Sequence, residues 1–237
     1  MNREYIVMSL RLYFHPLASF CHKALIALYE NGTPFEPILV DLGDAASRAA
    51  FAAVWPMAKM PVLRDEARNR TVAEATIIIE YLDTYYLGPT RFIPTDVDRA
   101  WQARMWDRFY DHYVHEPMQK IVTDRLRPED ANDAFGVEQA KAQIHEAYAL
   151  IEKEMASKTW MMGDDFTLAD CAAAPALFYA NTVLPIEETQ TNLRGYAERL
   201  MARPAYARAL AEAEPYFAMF PMERKPQIVK AGTMAES

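Results

Sequence analysis

The pattern of apolar and polar positions changes character once along the chain. Before residue 87, short apolar runs alternate with stretches in which apolar residues recur every three or four positions. This alternation predicts a mixed α/β fold, because strands and helices bury their apolar residues with different periods. The predicted strands lie at 10–14, 35–40, 61–64 and 71–72, and the predicted helices follow the first strand, cover 45–54 and begin near Glu74.

After residue 95 the strand patterns stop. Apolar faces repeat at helical spacing over 101–113 and 137–155, which predicts an all-α helix bundle. Residues 87–95 contain Gly88, Pro89 and Pro94 and are typical of a linker. We therefore predict an α/β domain at 9–87, a helical domain at 95–222 and a loose tail at 223–237.

Composition and charge exclude several classes of protein. The chain has 237 residues, 51% hydrophobic and 24% charged, which is typical of a packed globular protein. Its net charge is −8 and it has no basic run, so nucleic acid is not an expected partner. No stretch approaches the roughly 18 apolar residues of a membrane span, and the first seven residues do not resemble a secretion signal. Two distant cysteines favour a reducing compartment, and we expect a cytoplasmic protein.

Histidines are candidate metal ligands, but their spacing does not support a site. His112, His115 and Glu116 fall in one segment, DHYVHEP, without a third strong ligand nearby. We interpret the two histidines as structural or solvated and predict no metal. His22, early in the first helix, is expected to be exposed.

Two short motifs in the first half suggest binding chemistry. Met60-Pro61, in KMPVL, precedes an apolar strand, and a proline there belongs at a strand start because it cannot donate a ladder hydrogen bond. A cis bond would expose the backbone of Met60 to an extended peptide, although only about 5–6% of X-Pro bonds are cis. Glu74 begins a helix, where it either complements the helix dipole or stands beside an anion site.

A third motif, GDDFTLAD, is structural. Thr167 and Asp170 have the spacing of a capping box, and Phe166 is placed to pack as a hydrophobic staple. We predict that this motif fixes the start of a helix in the bundle.

With these motifs in order, nearly the whole chain resembles the cytosolic glutathione S-transferase family. The matching stretches are LRLYFHPLASFCHKALIALYENGTPFE, KMPVL, the Glu-Ala that opens a helix, the linker and FTLAD. The resemblance implies a thioredoxin-like N-terminal domain, an all-helical C-terminal domain and a homodimer. It also implies a glutathione site on the first domain, a hydrophobic co-substrate pocket between the two, and a cis Met60-Pro61 bond.

The resemblance also implies which residues bind glutathione. Met60, before Pro61, pairs its backbone with the cysteinyl part, Lys59 meets the glycine carboxylate, and Glu74 receives the γ-glutamyl end. The chain departs from the family at Ala75, where a serine hydroxyl normally holds the γ-glutamyl carboxylate. The N–H of Ala75 remains, and the hydroxyl of Thr76 is a candidate replacement.

The residue that stabilises the glutathione thiolate is expected at the start of the first helix. An alignment through KALIAL places Ala18 where many family members have a catalytic serine or cysteine, whereas an alignment on Pro16 with one gap places Ser19 there. We predict Ser19 as the donor, through its hydroxyl or its N–H, and Cys21 as the second choice. Ser19 acting only as a helix cap is an equally open interpretation.

The predicted function is transfer of the glutathione thiolate to a small hydrophobic electrophile, in a detoxifying enzyme, with hydroperoxide reduction as a further activity. The resemblance places the co-substrate pocket at Phe14, Leu17, Trp106, Tyr110 and Tyr113. Two alternatives remain. One is a non-catalytic binding protein with the same fold, and the other is a disulfide-exchange enzyme that uses Cys21.

Overall fold

Four short strands form a mixed sheet in the first half of the chain. The computed structural model describes residues 9–228, so the predictions for the first seven residues and for positions 229–237 of the tail lie outside the described residues. The sheet order is β2-β1-β3-β4, with β2 parallel to β1 and the other pairs antiparallel. The strands are β1 (Leu10–Phe14), β2 (Glu36–Leu39), β3 (Val62–Asp65) and β4 (Arg70–Ala73).

Three helices accompany this sheet. They are α1 (Ser19–Glu30), α2 (Ala45–Val54) and α3 (Ala75–Tyr85), and α1 packs against α3. Helix α1 ends at Glu30, with Asn31 as its C-cap residue, and Gly32 follows with a φ of 58°, a backbone conformation that favours glycine. The predicted α/β half with thioredoxin-like order is confirmed.

The second half is built from helices joined by loops. Its helices are α4 (Val97–Phe109), α5 (Glu116–Asp124), α6 (Ala134–Glu154), α7 (Leu168–Val183), α8 (Thr191–Ala202) and α9 (Pro204–Ala213), with short 3₁₀ turns at Glu129–Ala131, Met155–Ser157 and Glu214–Met219. A π-helical segment, Tyr110–His115, joins α4 to α5. Within residues 9–228, no helix is long and apolar enough to cross a membrane.

Helix α1 connects the two halves. It packs on α3 of its own half and on α7 and α9 of the helical half, and its residues from Cys21 to Leu28 are all buried. This complete burial explains an error of the sequence analysis. His22 was expected to be exposed, but its ring is fully buried beside Tyr179 and Tyr206, because the second half covers the face that an isolated domain would leave open.

The predicted capping motif is present at the start of α7. Thr167 and Asp170 form a capping box, and both side chains are buried. The Asp170 carboxylate accepts hydrogen bonds from the N–H groups of Thr167 (2.9 Å) and Met161 (2.8 Å) and from the hydroxyl of Tyr196 (2.6 Å). Asp170 therefore connects the start of α7 to the Met161 loop and to α8, whereas the Thr167 side chain bonds only within the start of α7.

We expect Asp170→Ala to lower the free energy of unfolding more than Thr167→Ala. Loss of the threonine cap should cost about 0.5–2 kcal/mol. Loss of Asp170 leaves three buried donors without an acceptor, which should cost about 3 kcal/mol or more. Urea unfolding measures both, with Thr84→Ala on the exposed surface of α3 as a control that should stay within about 0.5 kcal/mol of wild type. Equal losses for the two variants would contradict this ranking.

Candidate active site

The N-terminus of α1 presents unpaired backbone donors next to the end of β1. Ala18 is the N-cap residue and its side chain makes no capping bond. The N–H of Cys21 bonds to the Ala18 carbonyl, whereas the N–H groups of Ser19 and Phe20 have no partner among the described residues. These two groups, at the positive end of the helix, can stabilise an anion such as a thiolate.

Ser19 is the first residue of α1, and its hydroxyl contacts the other half of the molecule. Ser19 is 8% exposed, and its Oγ lies 2.5 Å from Nε2 of His115, at the end of the π-helical segment. Because Ala18 holds the N-cap position, the interpretation of Ser19 as only a helix cap is wrong. His115 was expected to be structural or solvated, and the structure places it fully buried against the start of α1.

Cys21 is not a reactive thiol. It is fully buried, and burial raises the pKa of its thiol to about 12, so the thiolate is scarce at neutral pH. Cys171 is buried as well, and both cysteines are free. The selection of Cys21 as second choice for the catalytic residue is contradicted, because Cys21 lies on the face of α1 that enters the core.

The turn before β3 exposes an unpaired backbone. The Met60-Pro61 bond is cis, as the family resemblance implied. Pro61 is buried, Met60 is half-buried and Lys59 is exposed. The N–H and C=O of Met60 have no partner in the described part of the chain, so they are available to an extended peptide.

The start of α3 lies next to this turn, because Val62 of β3 pairs with Ala73 of β4. Glu74 is its N-cap residue, exposed, with a φ of 69° and no capping bond from its side chain. Ala75 follows at 6% exposure. Thr76 does not replace the missing serine, because its hydroxyl donates to Asp107 (2.9 Å) and accepts from Nζ of Lys23 (2.8 Å) inside the protein.

A buried ion cluster lies in the protein interior between the N-terminal parts of α1 and α3. Lys23 of α1 is fully buried, and its Nζ lies 2.5 Å from Asp107 Oδ1 and 2.9 Å from Asp111 Oδ2. Burial raises the pKa of Asp111, and Lys23 acts in the opposite direction. The cluster fixes α1 against α4 and the π-helical segment.

Arg108 extends the cluster to the surface beside α3. Its guanidinium contacts Asp107 (2.8 Å), Asp111 (2.5 Å) and the hydroxyl of Thr76, and its side chain is 49% exposed. Burial lowers the pKa of Arg108, but the neighbouring carboxylates, Glu74 among them, more than offset this effect. Its Nη1 has no partner among residues 9–228.

The residues predicted for the co-substrate pocket do not line one cavity. Phe14 and Tyr110 are buried in the core at 7% and 0% exposure, which contradicts a role at an open pocket. Trp106 is half-buried and packs edge-on against Phe109. Tyr113 lines a groove of about 720 Å³ between α4 and α6, together with Met105, Arg108, Phe109, His112, Gln143, Glu146, Ala147 and Leu150.

Leu17 is the predicted pocket residue that lies nearest the start of α1 along the chain. It is half-buried, and its carbonyl accepts a hydrogen bond from the Tyr179 hydroxyl at 3.0 Å. In the same loop, the His15 ring packs edge-on against Tyr216 with centroids 4.9 Å apart. This loop therefore packs against α7 and against the 3₁₀ turn after α9.

The histidines of DHYVHEP lie in different environments. His112 is half-exposed and its Nδ1 lies 3.1 Å from Glu116, whereas His115 points inward to Ser19. Over residues 9–228, no three potential ligands are grouped as a metal site.

The residues that the sequence analysis missed had a weak signal. Asp107, Asp111 and His115 recur every fourth position, which places three polar groups on one face of a helical stretch. Because α1 is buried on all sides from Cys21 to Leu28, this polar stripe indicates a contact between the halves. The sequence alone does not reveal which partner it meets.

Comparison with known proteins agrees with this architecture. Sequence models of the glutathione S-transferase N-terminal and C-terminal domains match residues 12–90 and 111–204. Glutathione S-transferase GstB of Escherichia coli (strain K12) is 26% identical over 185 residues, covering 77% of this chain and 88% of that protein. Glutathione S-transferase 3 of Zea mays is 29% identical over 210 residues, covering 85% of this chain and 93% of that protein.

A solved structure extends the comparison to a bound ligand. The glutathione S-transferase of Methylobacterium radiotolerans, crystallised in complex with glutathione sulfonate, superposes with a TM-score of 0.74 at 28% identity. It covers 84% of this chain, and 93% of that chain is covered in return. With both domain models matched in order and the two-part fold in place, the chain belongs to the glutathione S-transferase family of enzymes.

Proposed function

We propose that the protein binds reduced glutathione on its α/β half and transfers the sulfur to a small hydrophobic electrophile. The observation that carries this proposal is the pair of unpaired N–H groups of Ser19 and Phe20 at the N-terminus of α1. They stabilise a thiolate, the reactive form of the tripeptide. The sulfur attacks the electrophilic carbon, the leaving group departs with its electron pair, and the thiol proton passes to solvent.

The tripeptide lies along three backbone sites in this proposal. Met60, before the cis bond to Pro61, pairs its N–H and C=O with the cysteinyl part, and Lys59 meets the glycine carboxylate. The γ-glutamyl end lies at the start of α3, with its amino group at Glu74 and its carboxylate at the N–H of Ala75.

The co-substrate is apolar in this proposal, because an aliphatic side chain lies in the loop before α1 and an aromatic one packs on that loop. Leu17 lies two residues before α1, Tyr216 packs on His15 of the same loop, and both Leu17 and Tyr216 are half-buried. A hydroperoxide is a second class of co-substrate, reduced to an alcohol and water while two glutathione molecules become the disulfide. Such chemistry fits a detoxifying role.

The same proposal includes a homodimer in the cytoplasm. Three large apolar side chains on α4 and after α3 are more than 40% exposed: Leu87, Trp101 and Met105. An exposed apolar surface of this kind favours contact with a second copy of the chain. Two free, buried cysteines suit a reducing compartment.

We expect reduced glutathione to bind with a dissociation constant between micromolar and low millimolar in calorimetric titration. Glu74→Ala should weaken binding at least about tenfold, because a charge-assisted bond to the γ-glutamyl amino group is lost. Glu80→Ala, on the same helix, is the control and should bind as wild type does. No heat of binding at cellular glutathione concentrations would overturn the enzymatic proposal and favour a protein that keeps the fold for partner recognition, consistent with Ala18 and Ala75.

We further propose that Arg108 compensates for the missing serine hydroxyl at position 75. Its free Nη1 and its contact with Thr76 place a positive charge beside the first turn of α3, where the γ-glutamyl carboxylate lies in this proposal. Arginine binds carboxylates through charge-assisted hydrogen bonds.

Arg108→Gln should raise the glutathione dissociation constant about tenfold or more, since a charged hydrogen bond contributes about 1.5–3 kcal/mol. Arg104→Gln, one turn earlier on α4 and paired with Glu80, is the matched control. Adding Ala75→Ser to Arg108→Gln should restore much of the affinity. Unchanged affinity in a folded Arg108→Gln protein would contradict the role of Arg108.

The disulfide-exchange alternative requires an accessible thiol at Cys21. Because Cys21 and Cys171 are buried and burial raises the pKa of both thiols, we expect neither to react with iodoacetamide in the native protein and both to react in urea. Mass spectrometry of the alkylated protein measures this. Rapid native labelling of Cys21 that glutathione prevents would favour the exchange enzyme instead.

A further inference from the structure

We propose that His115 is a positioning residue for the glutathione thiolate. Its Nε2–H donates to the Ser19 oxygen and so leaves the Ser19 hydroxyl hydrogen free to donate to the sulfur. This inference rests on the proposed function, because it assumes that the thiolate lies at the N-terminus of α1. It concerns a residue of the helical half, which carries no part of the backbone site described above.

The contacts of His115 fix its ring on two sides. Its Nε2 lies 2.5 Å from Ser19 Oγ, and its ring stacks on Phe20 with centroids 3.8 Å apart and an angle of 8° between the planes. Both contacts are to the first two residues of α1. The imidazole therefore has one position relative to the helix start, and it is fully buried there.

The charged form of His115 is excluded at neutral pH. Burial lowers the pKa of His115 to about 3, and the neighbouring Lys23 and His22 of α1 act in the same direction. A neutral histidine carries one proton, on either Nδ1 or Nε2.

The surroundings of Nδ1 decide between these two tautomers. His115 Nδ1 is buried and has no hydrogen-bond partner. A proton on Nδ1 would leave a buried N–H unsatisfied, which is rarer in proteins than an unsatisfied acceptor. The proton therefore belongs on Nε2, and Ser19 Oγ accepts the bond.

Because the Ser19 oxygen accepts this bond, the hydrogen of its hydroxyl is free to be donated to another group. Ser19 has no other side-chain partner among the described residues, and it sits beside the unpaired N–H groups of α1. A sulfur at that helix end meets two backbone donors and the Ser19 hydroxyl. Ser19 thus supplies the group that Ala18 lacks.

His115 does not act as a general base for a Ser19 nucleophile. A base must accept a proton, and the burial that lowers the pKa of His115 opposes an imidazolium ion. In addition, no carboxylate stands at Nδ1 to stabilise such an ion, as a catalytic triad would require.

Nitrogen NMR of the histidine-labelled protein without glutathione tests the tautomer directly. We expect the His115 signals to show Nε2–H between about pH 5.5 and 8.5. His115→Gln assigns the signals by their disappearance. An Nδ1–H tautomer, or titration of His115 in this range, would overturn the inference whether or not the protein binds glutathione.

The pKa of the bound thiol, measured from thiolate absorbance, tests the functional consequence. Ser19→Ala and His115→Leu should each raise it by about one unit, a tenfold loss of thiolate, with no further rise in the double variant. His115→Gln, which keeps an N–H donor, should recover part of the shift, and His112→Leu is the matched control. A folded His115→Leu protein with wild-type thiol pKa and glutathione affinity would overturn the inference, whereas a wild type that binds no glutathione would overturn the proposed function.

Discussion

The buried contact of Lys23 with Asp107 and Asp111 is the interaction on which the rest of the structure depends. Charged groups that are buried in this way lose their hydration on folding and are retained only when each is fully paired. Lys23 comes from α1, whereas the two aspartates come from α4 and the π-helical segment. A displacement of one half relative to the other would leave a charge unpaired in the core, so the cluster fixes their relative position.

The π-helical segment gives this contact its geometry. The N–H of Glu116 bonds to the carbonyl of Asp111, one residue further back than in an α-helix. In a regular α-helix, residues four apart drift by about 40° around the axis at each step. The wider turn offsets this drift, and Asp107, Asp111 and His115 can all face α1. One local departure from α-helical geometry thus serves both the ion cluster and the Ser19 contact.

The sequence predicted local features well and contacts between the halves poorly. The strands, the start of α1, the cis Met60-Pro61 bond and the capping box follow from neighbouring residues or from the family resemblance, and all are present. The errors concern His22, Cys21, Phe14 and Tyr110, whose burial depends on what covers their side of a helix or strand. Periodicity shows that a helix has an apolar face, but it does not show that a second face is covered by the other domain.

Thr76 illustrates the same limit at the level of single hydrogen bonds. Its position after Ala75 made it a candidate to replace the missing hydroxyl, yet its oxygen is held by Lys23, Asp107 and Arg108. Side chains from the helical half therefore reach the starts of both α1 and α3. Arg108 contacts Thr76, the residue after Ala75, and His115 contacts Ser19, the residue after Ala18. Since both side chains come from the stretch that the ion cluster holds against α1, the compensation that we propose for the hydroxyls absent at positions 18 and 75 requires that this cluster is intact.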